Sequence, residues 1–333
     1  MSTSIDNPEI QSDRAEPRRD TAAFLRSLAG RYVMVGVLVV LVIVATILYH
    51  GFLQPQNLRD ILTQNAAEGI IAIGMTFVII SGGFDLSVGS VYAIGGCVFA
   101  GVTKDTGSVA VGGLAALGAG IAAGAVNGVL VARLKVNPFV ATLGTASAIS
   151  GLAYIYSHSA PLVVPGASFQ NLALTTIGGV PLPIWILLAV GLVGAFLLSQ
   201  TSYGRNVSAV GGNEQAGLLS GLRVPWLIAS VYVMTGVLAA FAGMIDASRL
   251  GVGQANVGGT VSLDAIAIVV VGGTSLRGGE GAVWRSAVGL LILATMTNVF
   301  YSLNLDQNFQ LIAKGVIVVA AVALDVLVRR RRA

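Results

Sequence analysis

From Tyr32 to Val328 the chain alternates between long, nearly charge-free runs and short polar breaks. Tyr32 to His50 and Ile184 to Leu198 are two such runs. A bilayer core about 30 Å thick takes about 20 apolar residues of helix. The pattern therefore predicts about ten spans, at 32–50, 61–80, 88–103, 109–132, 138–157, 182–199, 226–247, 262–276, 283–301 and 309–328. Spans 88–103 and 262–276 are short and abut glycine pairs. Non-helical backbone is tolerated at membrane depth only where protein or a wet cavity covers it, so both predict broken helices.

One polar break stands apart. Tyr203 to Val224 reads YGRNVSAVGGNEQAGLLSGLRV, compact and Gly-rich between two apolar runs. It is too short for a domain and too patterned for a linker. A membrane protein with such a loop on its cytosolic side, at about 200–225, hands force or information to a soluble partner.

Composition narrows the class. The chain is 55% hydrophobic and only 10% charged, with 43 glycines in 333 residues. Soluble domains carry about 25% charged residues, so the reading is an all-α polytopic membrane protein. Residues 1–31 mix both signs of charge without a cleavable signal and are expected to form a disordered cytosolic tail. The membrane domain then covers 32–328, and 329–333 form a basic cytosolic C-terminus. Cys97 is alone, and His50 and His158 are far apart in sequence, which predicts no disulfide and no metal cluster.

Charge sets orientation. With a cytosolic N-terminus, 15 of the 19 basic residues fall in cytosolic segments, Arg329 to Arg332 among them. Only Arg59, Lys104 and Arg249 lie outside, with Lys314 inside a span. This is the positive-inside bias, so both termini are expected in the cytosol. The net charge of +4 needs no nucleic acid to explain it.

Small residues at Gly112, Ala116, Gly120, Gly124 and Gly128 recur every four positions and form one helix ridge. Such ridges let backbones approach closely; Ala239, Gly243 and Ala247 repeat the device. Gly82 to Gly89 and Gly272 to Gly279 share the pattern GGxxLxxG, which fits either an internal duplication or chance. No Gly-Lys-Ser/Thr phosphate loop occurs, nor any credible nucleophile–base pair, so neither catalytic residues nor a cofactor bound by this chain is expected.

Ionisable groups at membrane depth cost at least about 2.5–3.5 kcal/mol and face a cavity or a partner. Glu68, Asp85, Asp246, Asp264, Lys314 and Asp325 are in or beside spans. Asp85 or Ser87 can cap a helix restarted after Gly82-Gly83, or Asp85 can contact solute. Asn65, Asn127 and Asn298 suit hydroxyl-rich ligands or join helices. Candidates for a passage are thus Asn65, Glu68, Asp85, Ser87, Asn127, Asp264 and Asn298.

Several ordered motifs, spread from Phe52 to Asp325, carry a family resemblance. They are Ile73-Gly74-Met75-Thr76 leading into Gly83 to Ser90 (GFDLSVGS), Phe139 to Gly144 (FVATLG), Gly204-Arg205, Gly211-Gly212-Asn213-Glu214, Leu219-Ser220-Gly221, Ala242-Gly243, Leu263 to Ala267 (LDAIA), Val271 to Leu276 (VGGTSL) and Gly279-Glu280-Gly281. In this order they resemble the permease subunit of ribose-type ABC importers, which move monosaccharides and related polyols across the bacterial inner membrane. The resemblance implies about ten helices and a dimer of permease subunits, either two copies or two paralogues. It also implies a cytosolic ABC ATPase that holds ATP and magnesium, and a periplasmic sugar-binding protein. The implied coupling helix is Asn213 to Gly221, with Ser220 near its end, Gly211 and Gly212 as the turn before it, and Arg205 upstream. Phe84 departs from the family, where an aliphatic residue is common. An ion-coupled secondary transporter, energised through Asp85, Glu68 or Lys314, is the rival; a membrane enzyme is disfavoured.

Overall fold

A computed structural model describes residues 21–330. The expected tail as far as residue 20, and the C-terminus beyond Arg330, lie outside the described residues. Of the described residues, those as far as Val33 belong to one unit and those from Met34 to another, which holds the helical bundle.

The described chain is almost wholly helical. Helices α1 (Thr21–Leu48), α2 (Pro55–Gln64), α3 (Ala66–Ile80), α4 (Val88–Thr106) and α5 (Val109–Gly128) come first, α5 ending in a π turn, Val129–Arg133. Then come α6 (Pro138–Tyr156), α7 (Ala167–Leu174), α8 (Leu182–Gln200), α9 (Ser202–Gly212) and α10 (Glu214–Leu219). The series closes with α11 (Val224–Leu250), α12 (Val261–Val271), α13 (Val283–Ser302) and α14 (Gln307–Arg330). Four two-residue strands lie between helices: β1 (Leu162–Val163), β2 (Thr176–Ile177), β3 (Val180–Pro181) and β4 (Val252–Gly253). β1 pairs with β4 and β2 with β3, both antiparallel.

Among the described residues, five helices are long and apolar enough to cross a bilayer: α5 with its π turn, α6, α8, α11 and α13. Helices α2 and α3, bent by 50°, make a sixth if they count as one broken span. Fewer complete crossings are thus visible than the ten that hydropathy predicts. The span expected at 262–276 is the 11-residue α12, about 16 Å long and half a bilayer core. It stops at Gly272-Gly273, one of the glycine pairs where a break is expected.

α11 is the hub, packed against α3, α4 and α5. The small-residue ridge of α5 faces it from Gly120 to Gly128, while Gly112 faces α4. A Cβ on Gly120 would lie 2.5 Å from the Gly236 carbonyl oxygen, and one on Gly124 2.5 Å from that of Tyr232. The second ridge closes on α4, where a Cβ on Gly243 would lie 2.0 Å from the Tyr92 oxygen. The other side of α5 turns outward, with Leu114 72% exposed, as a lipid-facing surface requires.

The ends of α3 and α12 share one backbone motif. After α3, Gly82 N–H donates to the Ile79 oxygen and Gly83 N–H to that of Val78; after α12, Gly273 N–H donates to Val270 and Thr274 N–H to Val269. Gly82 and Gly273 both take positive φ, 85° and 93°, which needs glycine. The structural match therefore aligns Gly82 with Gly273, one residue off the register of the GGxxLxxG repeat.

Polar breaks sort into two sets. Those expected outside meet one another: β1 pairs with β4, and the Ser248 hydroxyl accepts from Ala173 N–H and donates to the Phe169 oxygen. Those expected inside also meet: the Lys135 ammonium pairs with Glu214, and Gly279 N–H donates to the Ile80 oxygen at 2.8 Å.

Valine at Gly120 or Gly124 forces α5 off α11 and is expected to lower detergent-extracted yield and thermal stability by about 1–3 kcal/mol or more. Gly118→Val, where a Cβ meets nothing within 4 Å, should match wild type in the same fluorescence-detected melt.

Candidate functional site

The segment that the sequence marks as a coupling loop folds as two short helices. α9 is tethered to the bundle by Val207 and Val210, both buried. Asn213 leaves the helix with extended backbone, and its side-chain oxygen accepts from Ala216 N–H at 2.9 Å. That cap starts α10. Gly221, at φ 80°, ends it with its N–H on the Leu218 oxygen. Ser220 closes the last turn, its hydroxyl donating to the Ala216 oxygen. α10 presents Leu219, 91% exposed, and Leu218, while Glu214 is held by Lys135 from the break after α5. Arg205, on the first turn of α9, is exposed and donates to the Ser202 hydroxyl.

One expectation is corrected. Gly211 and Gly212 do not form a turn before the coupling helix; they are the last two residues of α9. Their smallness serves contact instead. A Cβ on Gly211 would fall 1.7 Å from the Ile80 oxygen, at the end of α3. Gly278 and Gly279 complete the junction. A Cβ on Gly278 would lie 2.6 Å from the Gly211 oxygen and 3.0 Å from Gly82 Cα, and one on Gly279 2.9 Å from Gly212 Cα. Gly279 N–H also caps the orphan carbonyl of Ile80, one of those a helix end leaves unpaired. The end of α9 is thus wedged between the breaks that follow α3 and α12.

The break between α3 and α4 is held from four sides. Tyr232 of α11 donates to the Phe84 oxygen at 3.1 Å, and Leu86 N–H donates to the Thr142 hydroxyl of α6. Ser262 of α12 donates to the Leu86 oxygen at 2.8 Å and accepts from Gly89 N–H at 2.9 Å. Asp85 Oδ1 accepts from both the N–H and the hydroxyl of Ser87, at 2.9 and 2.6 Å. Asn127 of α5 donates to the Ser87 hydroxyl at 2.7 Å and accepts from the Thr145 hydroxyl at 2.6 Å. Asp85, Ser87 and Asn127 are therefore one buried chain.

The remaining passage candidates lie elsewhere. Lys314 donates to Asp264 at 3.0 Å, and Glu68 sits in the field of this pair and of Asp246 and Arg249. Asn298 exchanges hydrogen bonds with Asn57, at 2.9 and 3.2 Å, joining α13 to α2. Asn65 marks the bend between α2 and α3 and donates back to the Ile61 oxygen. Sequence reasoning passed over Thr142, Thr145, Tyr232 and Ser262. Thr142 entered only as a letter of the FVATLG motif, and the further signal for both threonines was their three-residue spacing, which puts them on one helix face.

Residues 57–322 match the family described as branched-chain amino acid transport system / permease component. The ribose import permease protein RbsC of Bacillus subtilis (strain 168) is 38% identical over 290 residues, 86% of this chain and 90% of its own length. The ribose import permease protein RbsC of Escherichia coli (strain K12) is 39% identical over 296 residues, 88% of this chain and 92% of its own. The L-arabinose ABC transporter permease protein AraH of Azospirillum brasilense is 35% identical over 330 residues, 97% of each chain. No solved structure matches the chain.

Two substitution pairs check this geometry. Gly211→Ala should lower thermal stability, whereas Gly212→Ala, whose nearest neighbour would be 4.0 Å away, should leave it unchanged. Asp85→Asn keeps an oxygen for both Ser87 donors and should melt within about 1 kcal/mol of wild type. Asp85→Ala strands both buried donors and should cost about 1–3 kcal/mol.

Proposed function

The chain belongs to the family of branched-chain amino acid transport system permease components, and from that premise we propose that it is the membrane subunit of an ATP-driven importer of a monosaccharide or related polyol. The relatives named for ribose and L-arabinose import support a pentose-like solute. In this reading the subunit sits in a bacterial inner membrane with both termini in the cytosol. It pairs with a second permease subunit, receives solute from a periplasmic binding protein and docks a separate ATPase.

The observation that carries the reading is the glycine junction. α10 offers a small exposed apolar surface, and the helix before it is wedged against the breaks after α3 and α12. An ATPase that tilts α9 and α10 therefore presses on two interrupted segments at once, with almost no slack between backbones. The first of these interruptions holds Asp85 and its polar chain. ATP binding would favour one opening of the passage and hydrolysis the other, by differential affinity of the partners for the two arrangements.

Asn213→Ala with Glu214→Ala removes the cap of α10 and its ion pair but no core contact. The double variant is expected to fold and to assemble, while ATP hydrolysis no longer drives uptake in proteoliposomes. Full coupling in that variant would take α10 out of the force path. Uptake by the purified chain alone, collapsed by an uncoupler, would replace the importer with a secondary transporter.

A further inference from the structure

The break between β4 and α12 lies along the inner helices, not at the rim. Gly253 packs on α4 at Gly96, where a Cβ would lie 2.7 Å from the carbonyl oxygen, and Gly258 packs on Gly89, at 2.1 Å from its oxygen. The intervening stretch thus runs antiparallel to the first half of α4, over about 10 Å at 1.5 Å per helical residue. That part of α4 is itself pressed on the middle of α11, Gly95 on Ala240 and Gly96 on Gly243.

Among the described residues, Ala255 to Thr260 form a turn whose main-chain groups are poorly paired. No well-formed hydrogen bond reaches the backbone of Gln254, Ala255, Asn256, Val257, Gly258 or Gly259 from any described residue. Each carries one N–H and one C=O. Left unpaired against lipid, each such group costs several kcal/mol. A stretch of this kind at membrane depth is stable only if it faces water or a polar solute. Its side chains agree: Asn256 and Thr260 are exposed beside exposed Gly259, while Val257 packs on the core. Ser262, two residues on, binds both Leu86 and Gly89. The stretch therefore adjoins the Asp85 break.

We propose that Gln254 to Thr260 lines the passage, and that the Asn256 amide and Thr260 hydroxyl, together with the poorly paired main-chain groups, contact the hydroxyls of an uncharged, polyhydroxylated solute. Amide and hydroxyl both donate and accept without charge. That suits neutral hydroxyls and a contact weak enough to release them. The lining rests on the geometry alone; the nature of the solute rests on the importer reading.

The test places cysteine at Asn256 and, separately, at Thr260 in the full chain, purified with its companions into proteoliposomes. Each is challenged with a charged, membrane-impermeant methanethiosulfonate, with and without ATP. Wild type, whose one cysteine is the buried Cys97, sets the blank. Both positions should react in at least one nucleotide state, and reaction should cut ribose or L-arabinose uptake at least tenfold. Thiols that stay as unreactive as the blank in both states would overturn the proposal, because lipid or a second copy then covers the stretch. Reaction that leaves uptake unchanged would overturn it as well. If wild type itself moves neither sugar, the pentose-like solute is wrong, while the reactivity still decides the lining.

Discussion

Lipid tails are as apolar as leucine, so helices in a bilayer gain little by burying leucine against one another. Dispersion between closely packed backbones has to supply the attraction. In this chain that requirement is met by removing side chains. Gly120 and Gly124 meet carbonyl oxygens of α11, and Gly243 meets one of α4, at distances where a methyl group would overlap its neighbour. The α3, α4, α5 and α11 group is therefore fixed from inside. α6 and α8 keep outward faces such as Ile155 at 73% and Leu192 at 72% exposure, leaving them to lipid or a further subunit.

The same device serves a second purpose where helices stop. Breaks after α3 and α12 carry carbonyls that a lipid environment cannot satisfy, and each is closed by a turn through a positive-φ glycine. Once the chain has been freed from helix there, it can meet another backbone. Gly211, Gly278 and Gly279 do so around Ile80. Interrupted helices and a tight junction are thus one construction, in which glycine permits both the turn and the approach. The break before α12 differs. It is pinned at both ends by glycines on α4, yet from Gln254 to Gly259 its main chain makes no well-formed hydrogen bond to any described residue.

Much of this is legible in the residue pattern. The four-residue spacing of Gly112 to Gly128 names the face that meets α11 and, at Gly112, α4, and glycine pairs mark where α3 and α12 end. The segment after Tyr203 stands apart because its polarity breaks an apolar pattern, and α10 falls within it. What the pattern leaves open has a physical reason. A glycine pair serves a turn or a close approach equally well, so Gly211 and Gly212 read as a turn although they end a helix. The GGxxLxxG repeat matches letters one residue away from the backbone match, because φ is invisible in the sequence. Lys135 and Glu214 are 79 positions apart, and pairing at that range depends on the assembled bundle. Of the seven passage candidates, Asp85, Ser87 and Asn127 converge. Asn65 and Asn298, both only partly buried, serve helix joints.

Magnitudes decide what can transmit force in the proposed importer. The Lys135–Glu214 pair is 54% and 43% exposed at its side chains, and exposed pairs contribute about 0–1 kcal/mol. Moving a two-state passage from 1:99 to 99:1 takes about 5.5 kcal/mol of differential affinity. A surface ion pair cannot supply that, and it stretches under load because both side chains are long. The junction can carry it. Gly211 rests on a carbonyl, Gly278 on Gly82, and the Ile80 carbonyl is tied to Gly279. Close-packed backbone resists compression, since interiors at crystal-like density have little room to yield. A displacement of α9 therefore passes to the ends of α3 and α12 rather than being absorbed between them. The ion pair is left to orient α10, and the energy must come from whatever docks on it.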